Sequence, residues 1–356
     1  MKTKIIDLSN PLWLETLEKL RYDFYHLPQF VYLESQRTNT TPQALLISEG
    51  EKIFFLPYLI RRCDDLLDGE LIPELFDVVS PYGYPGILLS EAAANSPDFL
   101  ELAIKSLIFV LRNQNICSAF FRLHPILNQG LEKIYSPEIC KITGETVAIN
   151  LKLSHEEIWT QTHSSHRKVI NRHKRNGIKV KMVLFDEYLE DFLEIYYESM
   201  ERVGATKLYY FSHEFFWKLS KKLINNLHLS IVELDNEIIS ACLFTECCGI
   251  VQSYLSGTKN QFLKLSPDKL MFDYVRFWAK ERGNEFMHLG GGYGGAKDGI
   301  YDFKSGFSKL RYKFLTLRLI TDEEKYNYLV NLRAKFLNKQ AEALFNSSFF
   351  PAYRSL

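Results

Sequence analysis

The chain has 356 residues, 46% of them hydrophobic and 14% aromatic, and its 43 Lys and Arg balance 43 Asp and Glu. That length and apolar content suit about two domains of roughly 100–200 residues each. Zero net charge excludes a global field for nucleic acid or membrane, so any polyanion site has to be a local patch. The six cysteines (Cys63, Cys117, Cys140, Cys242, Cys247, Cys248) include no CxxC pair and no Cys/His metal spacing, so buried, reduced thiols are expected and a bound metal is not. The start MKTKIIDLSNPLW lacks an apolar signal core, and no apolar run approaches the ~18 residues of a membrane span. A soluble, cytoplasmic protein is the expectation.

Residues 12–26 carry apolar positions at helical spacing and are expected to form one opening helix. Residues 44–60 read as two strands around Ser48-Glu49-Gly50-Glu51, a hairpin. After a loop-rich stretch, the prolines and glycines of DVVSPYGYPG (77–86) fix an irregular loop between two short strands, with Tyr82 and Tyr84 on it. Residues 97–114 read as helix, 116–123 as strand, and 145–152 as a strand at the crossing into a second domain. Residues 155–176 are expected to be one helix closed by Asn176-Gly177. Strand 178–184, helices 186–203 and 212–224, and strands 228–234, 237–247 and 249–255 follow.

The stretch 251–308 is the densest in signals. Ser266-Pro267-Asp268 reads as a helix start with Ser266 as cap. Leu270, Tyr274, Phe277 and Trp278 recur at helical spacing, with Arg282 one turn on and Gly283 as the stop. Residues 285–289 read as a strand, and Gly290-Gly291-Gly292-Tyr293-Gly294-Gly295 lets the backbone turn freely or approach a ligand closely. Glycines 290, 292 and 295 formally spell GxGxxG, but no acid lies at the dinucleotide-site distance and no Walker lysine follows. A strand at 313–320 and a charged amphipathic helix over 322–346 complete the chain, the latter with Tyr328, Leu332, Phe336 and Leu337 facing protein.

Tyr254-Leu255-Ser256-Gly257-Thr258, the SPDKL helix start, Trp278-Ala279-Lys280, His288-Leu289-Gly290-Gly291-Gly292 and Tyr301-Asp302-Phe303-Lys304-Ser305-Gly306-Phe307 form an ordered series. In that order and spacing they resemble the C-terminal half of FemAB-type peptidoglycan-bridge aminoacyltransferases and the related BioF2-like acyltransferases of the GNAT superfamily. The resemblance implies an α/β (α+β) fold of tandem GNAT-like domains, each a mixed sheet flanked by helices. It divides the chain into a domain over 1–150, an acyltransferase domain over 151–320, and a C-terminal helix (321–356) packing back on the first. The long helical-hairpin arm of the bridge-forming members has no room here.

Acyl transfer to an amine needs a neutral amine, support for the oxyanion and a competent leaving group. The resemblance gives Lys304 the oxyanion role, beside Phe303, and Tyr254 a place near the acceptor; the bland readings are a surface lysine and a core tyrosine. Tyr82 and Tyr84 match an aromatic loop bordering the acceptor pocket. Ser256, Gly291, Gly292 and Tyr293 are expected to line the cleft, with Asp298 and Asp302 as nearby carboxylates and His288 pointing toward the same region. The basic run 166–175 puts Arg167, Lys168, Arg172 and Arg175 on one cationic helix face, suited to phosphates of a nucleotide or tRNA, or simply to solvent.

These expectations converge on transfer of an acyl or aminoacyl group from acyl-CoA or aminoacyl-tRNA, as co-substrate rather than bound cofactor, to an amine. The acceptor would be a sugar nucleotide or other small envelope precursor, and no role with DNA is expected. Acetyl-CoA GNATs carry a Gln/Arg-x-x-Gly-x-Gly/Ala loop before the central helix; Lys264-Leu265-Ser266-Pro267-Asp268 departs from it, which leans toward aminoacyl-tRNA or an atypical acyl donor. The alternatives are a catalytically silent nucleotide- or tRNA-binding protein and an RNA-binding module built on the basic helix.

Overall fold

The computed structural model describes residues 1–64 and 74–355. In chain order the elements are β1 (Lys2–Ile6), α1 (Leu12–Leu17), α2 (Pro28–Thr38), β2 (Thr41–Glu49), β3 (Lys52–Arg62), β4 (Phe76–Val79), β5 (Leu88–Leu89), α3 (Glu91–Ala94), α4 (Pro97–Asn113), β6 (Ile116–Arg122) and β7 (Cys140–Asn150). Then come α5 (His155–Gln161), α6 (Ser164–Arg175), β8 (Lys179–Val183), α7 (Leu189–Arg202), α8 (His213–Lys222), β9 (Leu227–Leu234), β10 (Glu237–Cys247) and β11 (Ile250–Thr258). The last are α9 (Asp268–Glu281), β12 (Phe286–Gly290), α10 (Gly299–Ser305), β13 (Arg311–Ile320), α11 (Glu323–Phe336) and α12 (Ala341–Phe345). They form two compact units: residues 1–143 with 313–356, and residues 144–312.

In the first unit the strand order is β1-β2-β3-β4-β6-β13. All neighbours are antiparallel except β4 and β6. A parallel pair needs a crossover, and α4 lies within it, burying Phe99, Leu100, Ala103, Ile104, Leu107 and Leu111 along one stripe. The C-terminal segment belongs to this unit. Tyr326, Leu329, Val330 and Ala334 of α11 pack with Cys63, Cys117 and Tyr353, and Arg354 and Arg61 flank the fully buried Asp77.

In the second unit the order is β7-β12-β11-β10-β9-β8, with β11 and β12 as the parallel pair. The crossover helix is α9, whose Met271, Phe272, Val275 and Ala279 join Phe244, Val251, Met287 and Leu289 in the core. Helix α7 packs against β10 and β11 so closely that a Cβ on Gly257 would meet the Ile195 carbonyl at 2.6 Å. The β11–β12 pairing covers only Ile250–Gln252 and Phe286–His288, after which β11 runs on to Thr258.

Several expectations are corrected. The opening helix stops at Leu17, because the chain turns so that buried Asp23 caps a short turn at Phe24–His26 and meets His124 Nε2 at 2.8 Å; a second helix, α2, follows. The helix expected over 155–176 is two, broken where Thr162 is extended and the His163 side chain accepts from Ser165 N. Ser256, Gly257 and Thr258 continue strand β11 rather than starting a connection. Ser266 is not the helix cap: it closes a preceding 3-10 turn in the left-handed region (φ 51°), and Pro267 takes the cap position. The last helix breaks after Phe336, with Asn338 left-handed (φ 52°). Its buried stripe is Tyr326, Leu329, Val330 and Ala334, which leaves Tyr328 and Phe336 exposed. Of the residues at helical spacing on α9, Leu270 is buried, Phe277 and Trp278 are half-buried against the core, and Tyr274 is 42% exposed. The loop-rich stretch expected after residue 60 falls largely on residues 65–73, outside the described residues. The second unit begins at 144 and ends at 312, so β13 returns to the first.

Candidate acyl-transfer site

Within the second unit, the glycine segment leaving β12 and the helix α10 face each other. Asp298 caps α10: its Oδ1 accepts from Tyr301 N and its Oδ2 from Tyr293 N, both at 2.9 Å, so one carboxylate ties the helix start to the glycine segment. Space there is set by glycine. A Cβ on Gly292 would meet the Ala296 carbonyl at 2.1 Å and Asp298 Oδ1 at 2.4 Å, and one on Gly291 would meet the Glu145 carbonyl of β7 at 2.7 Å. One turn and a half into α10, Lys304 Nζ donates to the Gly291 carbonyl at 2.7 Å. The side chain is partly exposed, yet loss of water around the ammonium pulls its pKa down to about 8, against the smaller opposing pull of Asp298 and the Cys242 thiol. At pH 7 such a group is still cationic, and with one donor engaged it has two N–H donors left.

Phe303 sits among Phe272, Phe307 and the His166 ring, at centroid distances of 5.4, 5.3 and 5.7 Å. It packs the helix that carries Lys304 against the core. His166 Nε2 meets the Phe303 carbonyl at 2.9 Å, and His163 N donates to the Gly306 carbonyl at 2.8 Å. Burial holds His166 down to about 4, so it is neutral and donates to that carbonyl. Farther along α6, His173 Nε2 meets the Leu265 carbonyl at 2.7 Å, just before α9. The basic helix is thus locked on one face, by His166, Ile170 and His173. Lys168, Arg172 and Arg175 are exposed and Arg167 half-buried, and among the described residues none of the four side chains has an ion-pair or hydrogen-bond partner.

Asp268, in the first turn of α9, is pushed up to about 6 by burial, against the opposing pull of Lys269. Its Oδ1 accepts from Lys269 N at 3.0 Å, so the helix start carries the chain's own acid. On β10 the buried Cys242 thiol lies 3.7 Å from Ser253 Oγ.

The remaining candidates are more dispersed. Tyr254, 8% exposed, lies in β11 opposite the register shift between Leu243 and Phe244. Ser256 is exposed on the same strand, and Tyr293, 64% exposed, stands near the Tyr209 ring. His288 is fully buried in β12, bonded to Gln252 at 2.5 Å, which makes it a core histidine rather than a cleft group. Asp302 is exposed on α10. Tyr82 and Tyr84 belong to the first unit: Tyr82 N donates to the buried Glu34 carboxylate at 3.1 Å, and Tyr84 packs edge-on against Phe314 and Tyr25.

Residues 164–305, from the basic helix to the end of α10, match a family model described as an acetyltransferase (GNAT) domain. This segment is a GNAT domain. The fold is that of FemX, whose crystal structure superposes with a TM-score of 0.70 at 12% identity, over 92% of this chain and 99% of that one. The C-terminal domain of a putative lysylphosphatidylglycerol synthetase from Agrobacterium fabrum is similar at 13% identity and TM-score 0.54 (87% of this chain, 92% of that). L-PGS from Bacillus licheniformis is similar at 15% identity and TM-score 0.53, with the same coverage of 87% and 92%. No match was found among curated protein sequences. No helix among the described residues is long and apolar enough to cross a membrane.

Within the GNAT domain, sequence reasoning missed three groups: His166 and His173, read only as part of a charge run, and Asp268, read only as a first-turn acid. The two histidines had a signal, since 166, 170 and 173 repeat at helical spacing on the side away from the arginines.

Proposed function

We propose that the chain moves an aminoacyl group from a tRNA carrier onto the amine of a small envelope precursor or sugar nucleotide in the cytoplasm, with Lys304 as the oxyanion donor. The observation that carries the reading is the Lys304 ammonium: cationic at pH 7, fixed by Gly291, and short of bulk water. When the acceptor nitrogen attacks the ester carbonyl, the carbonyl oxygen takes up negative charge, and a pre-placed cation there needs no reorganisation. Asp298 is poorly suited as the base. Burial works to raise its pKa, but the Tyr301 and Tyr293 backbone donors outweigh it and hold it below the ordinary value. The acceptor attacks as the neutral amine, and the proton then carried by the nitrogen of the tetrahedral intermediate passes to the departing tRNA hydroxyl as the ester C–O bond breaks.

Asp268 supports a tRNA donor over acyl-CoA, because a carboxylate at the α9 start opposes a diphosphate bound there. The unpartnered Arg167, Arg172 and Arg175 offer phosphate contacts elsewhere. Single-turnover transfer from charged tRNA and from acyl-CoA to a panel of amines tests the reading. Transfer from charged tRNA that Lys304→Met removes supports it. Transfer from acyl-CoA alone reassigns the donor, and binding of either without turnover returns the silent binding protein.

A further inference from the structure

Between α6, β8 and α9 the GNAT domain has a cavity of about 390 Å3, lined by Lys174, Ile178, Tyr274, Phe277, Trp278 and Glu281 among others. Its wall is aromatic, with Phe277 and Trp278 half-buried against the core and Tyr274 standing outside it. Tyr274 makes no ring contact among the described residues and is 42% exposed. Trp278 is fixed behind it by the His228 ring at 4.8 Å and the Arg282 guanidinium at 4.9 Å, and Phe277 by His155 at 4.6 Å. The floor is equally fixed. Asp273 is buried and held by Lys174 Nζ at 2.7 Å and by the fully buried Arg276, whose other amino group donates to Thr162 Oγ1 at 2.7 Å. Glu281, exposed at the rim, has no ion-pair partner among the described residues. One wall is therefore aromatic, and the rim carries one carboxylate acceptor, Glu281.

Helix α6 adds the second element. Lys174 points into the cavity, and Arg167 lies seven residues earlier on nearly the same face, about 10 Å along the axis. Arg175 and Arg172 follow around the exposed side, none of them paired. Aromatic faces stack any base, carboxylates accept from exocyclic amines, and unpaired arginines bind phosphate. An apolar partner helix would leave those arginines and Glu281 unmatched.

We propose that this cavity holds an amino-bearing nucleobase, stacked on Tyr274, whose phosphates run along the Lys174–Arg167 side of α6. The proposal rests on the nucleotide-carrier reading above and assigns the base a place that reading does not. The ligand is a nucleotide, whether free or at the end of a single-stranded RNA.

The test is binding, independent of turnover, followed by tryptophan fluorescence, compared with that of Trp278→Phe, and by calorimetry with AMP, an adenylate hexamer and ribose 5-phosphate. AMP or the hexamer is expected to quench Trp278, with Tyr274→Ala weakening the bound species about 10-fold or more. Ribose 5-phosphate, lacking a base, should bind weakly and equally to both proteins. Preference for the hexamer identifies an RNA end, and preference for AMP a free nucleotide; either supports the site. Saturable binding that Tyr274→Ala and Glu281→Lys both leave unchanged overturns it, as does no binding of either base-bearing probe. Tyr274 and Glu281 are exposed, so both variants retain the core. Acyl transfer that survives Tyr274→Ala with unchanged donor affinity would sink the base site and leave the acyl-transfer reading intact.

Discussion

The Lys304 pKa is pulled down to about 8 because its ammonium has lost water, and Asp298 and the Cys242 thiol offset that loss only in part. Two consequences follow from the sign of that shift. If the cation is the oxyanion donor, kcat holds at neutral pH and falls as pH rises through about 8; a lysine base would give a rise there instead. A pH–rate profile of single-turnover transfer separates the two. The folded pKa lies below the ordinary lysine value, so the cost to stability is present at pH 7 and is relieved as pH climbs from about 8 toward 10.5. Lys304→Met is therefore expected to lower kcat by about 10²–10³ while the melting temperature stays or rises. Sequence could place Lys304 in a Phe-Lys-x-Gly-Phe context. Its tether to Gly291 was out of reach, since that depends on how the β12 exit and α10 face each other, 13 residues apart in the chain.

Helix α9 shows why elements were legible and their faces less so. Its existence was readable from 270–282, but it carries apolar side chains on two stripes, and periodicity alone does not say which one the sheet covers. The sheet took Met271, Phe272, Val275 and Ala279, leaving Phe277 and Trp278 half-buried and Tyr274 exposed. Its start was misread at Ser266 because the preceding 3-10 turn, invisible to a composition pattern, claims that residue. Asp268 at this start has a raised pKa of about 6, so the folded state holds a proton that the unfolded state releases between about pH 4 and 6. Stability should fall as pH rises through that window. Asp268→Asn should remove the slope and raise stability at pH 7 by an amount on the order of 1–2 kcal/mol, read by denaturant titration at pH 4.5 and 7. Gly291→Ala is the opposite case: the added Cβ would press on the Glu145 carbonyl at 2.7 Å. It should cost about 1–3 kcal/mol and shift the carbonyl that holds Lys304.

At the scale of the whole molecule, charge is balanced at 43 of each sign, so attraction for a polyanion has to come from α6. Nucleic-acid affinity is then expected to fall with salt along a shallow log–log slope of about −2 to −3, which Arg167→Ala/Arg172→Ala/Arg175→Ala should bring close to zero. Titration at several salt concentrations measures it. The alternation of strands and helices was readable, and with it two mixed sheets; the discontinuity of the first unit was not. Nothing local in RYKFLTLRLI distinguishes a last strand of the second sheet from one that returns to β6, because the pairing of Thr316 with Arg122 spans almost 200 residues. That return sets an order of events on the ribosome. The 144–312 unit has all its strands as soon as its own residues have emerged, whereas β6 must wait for β13, and Cys63, Cys117 and Asp77 for α11, Tyr353 and Arg354. The part of the chain made first is therefore finished last, and its unpaired β6 edge is what a nascent-chain chaperone would meet during the translation of the GNAT domain.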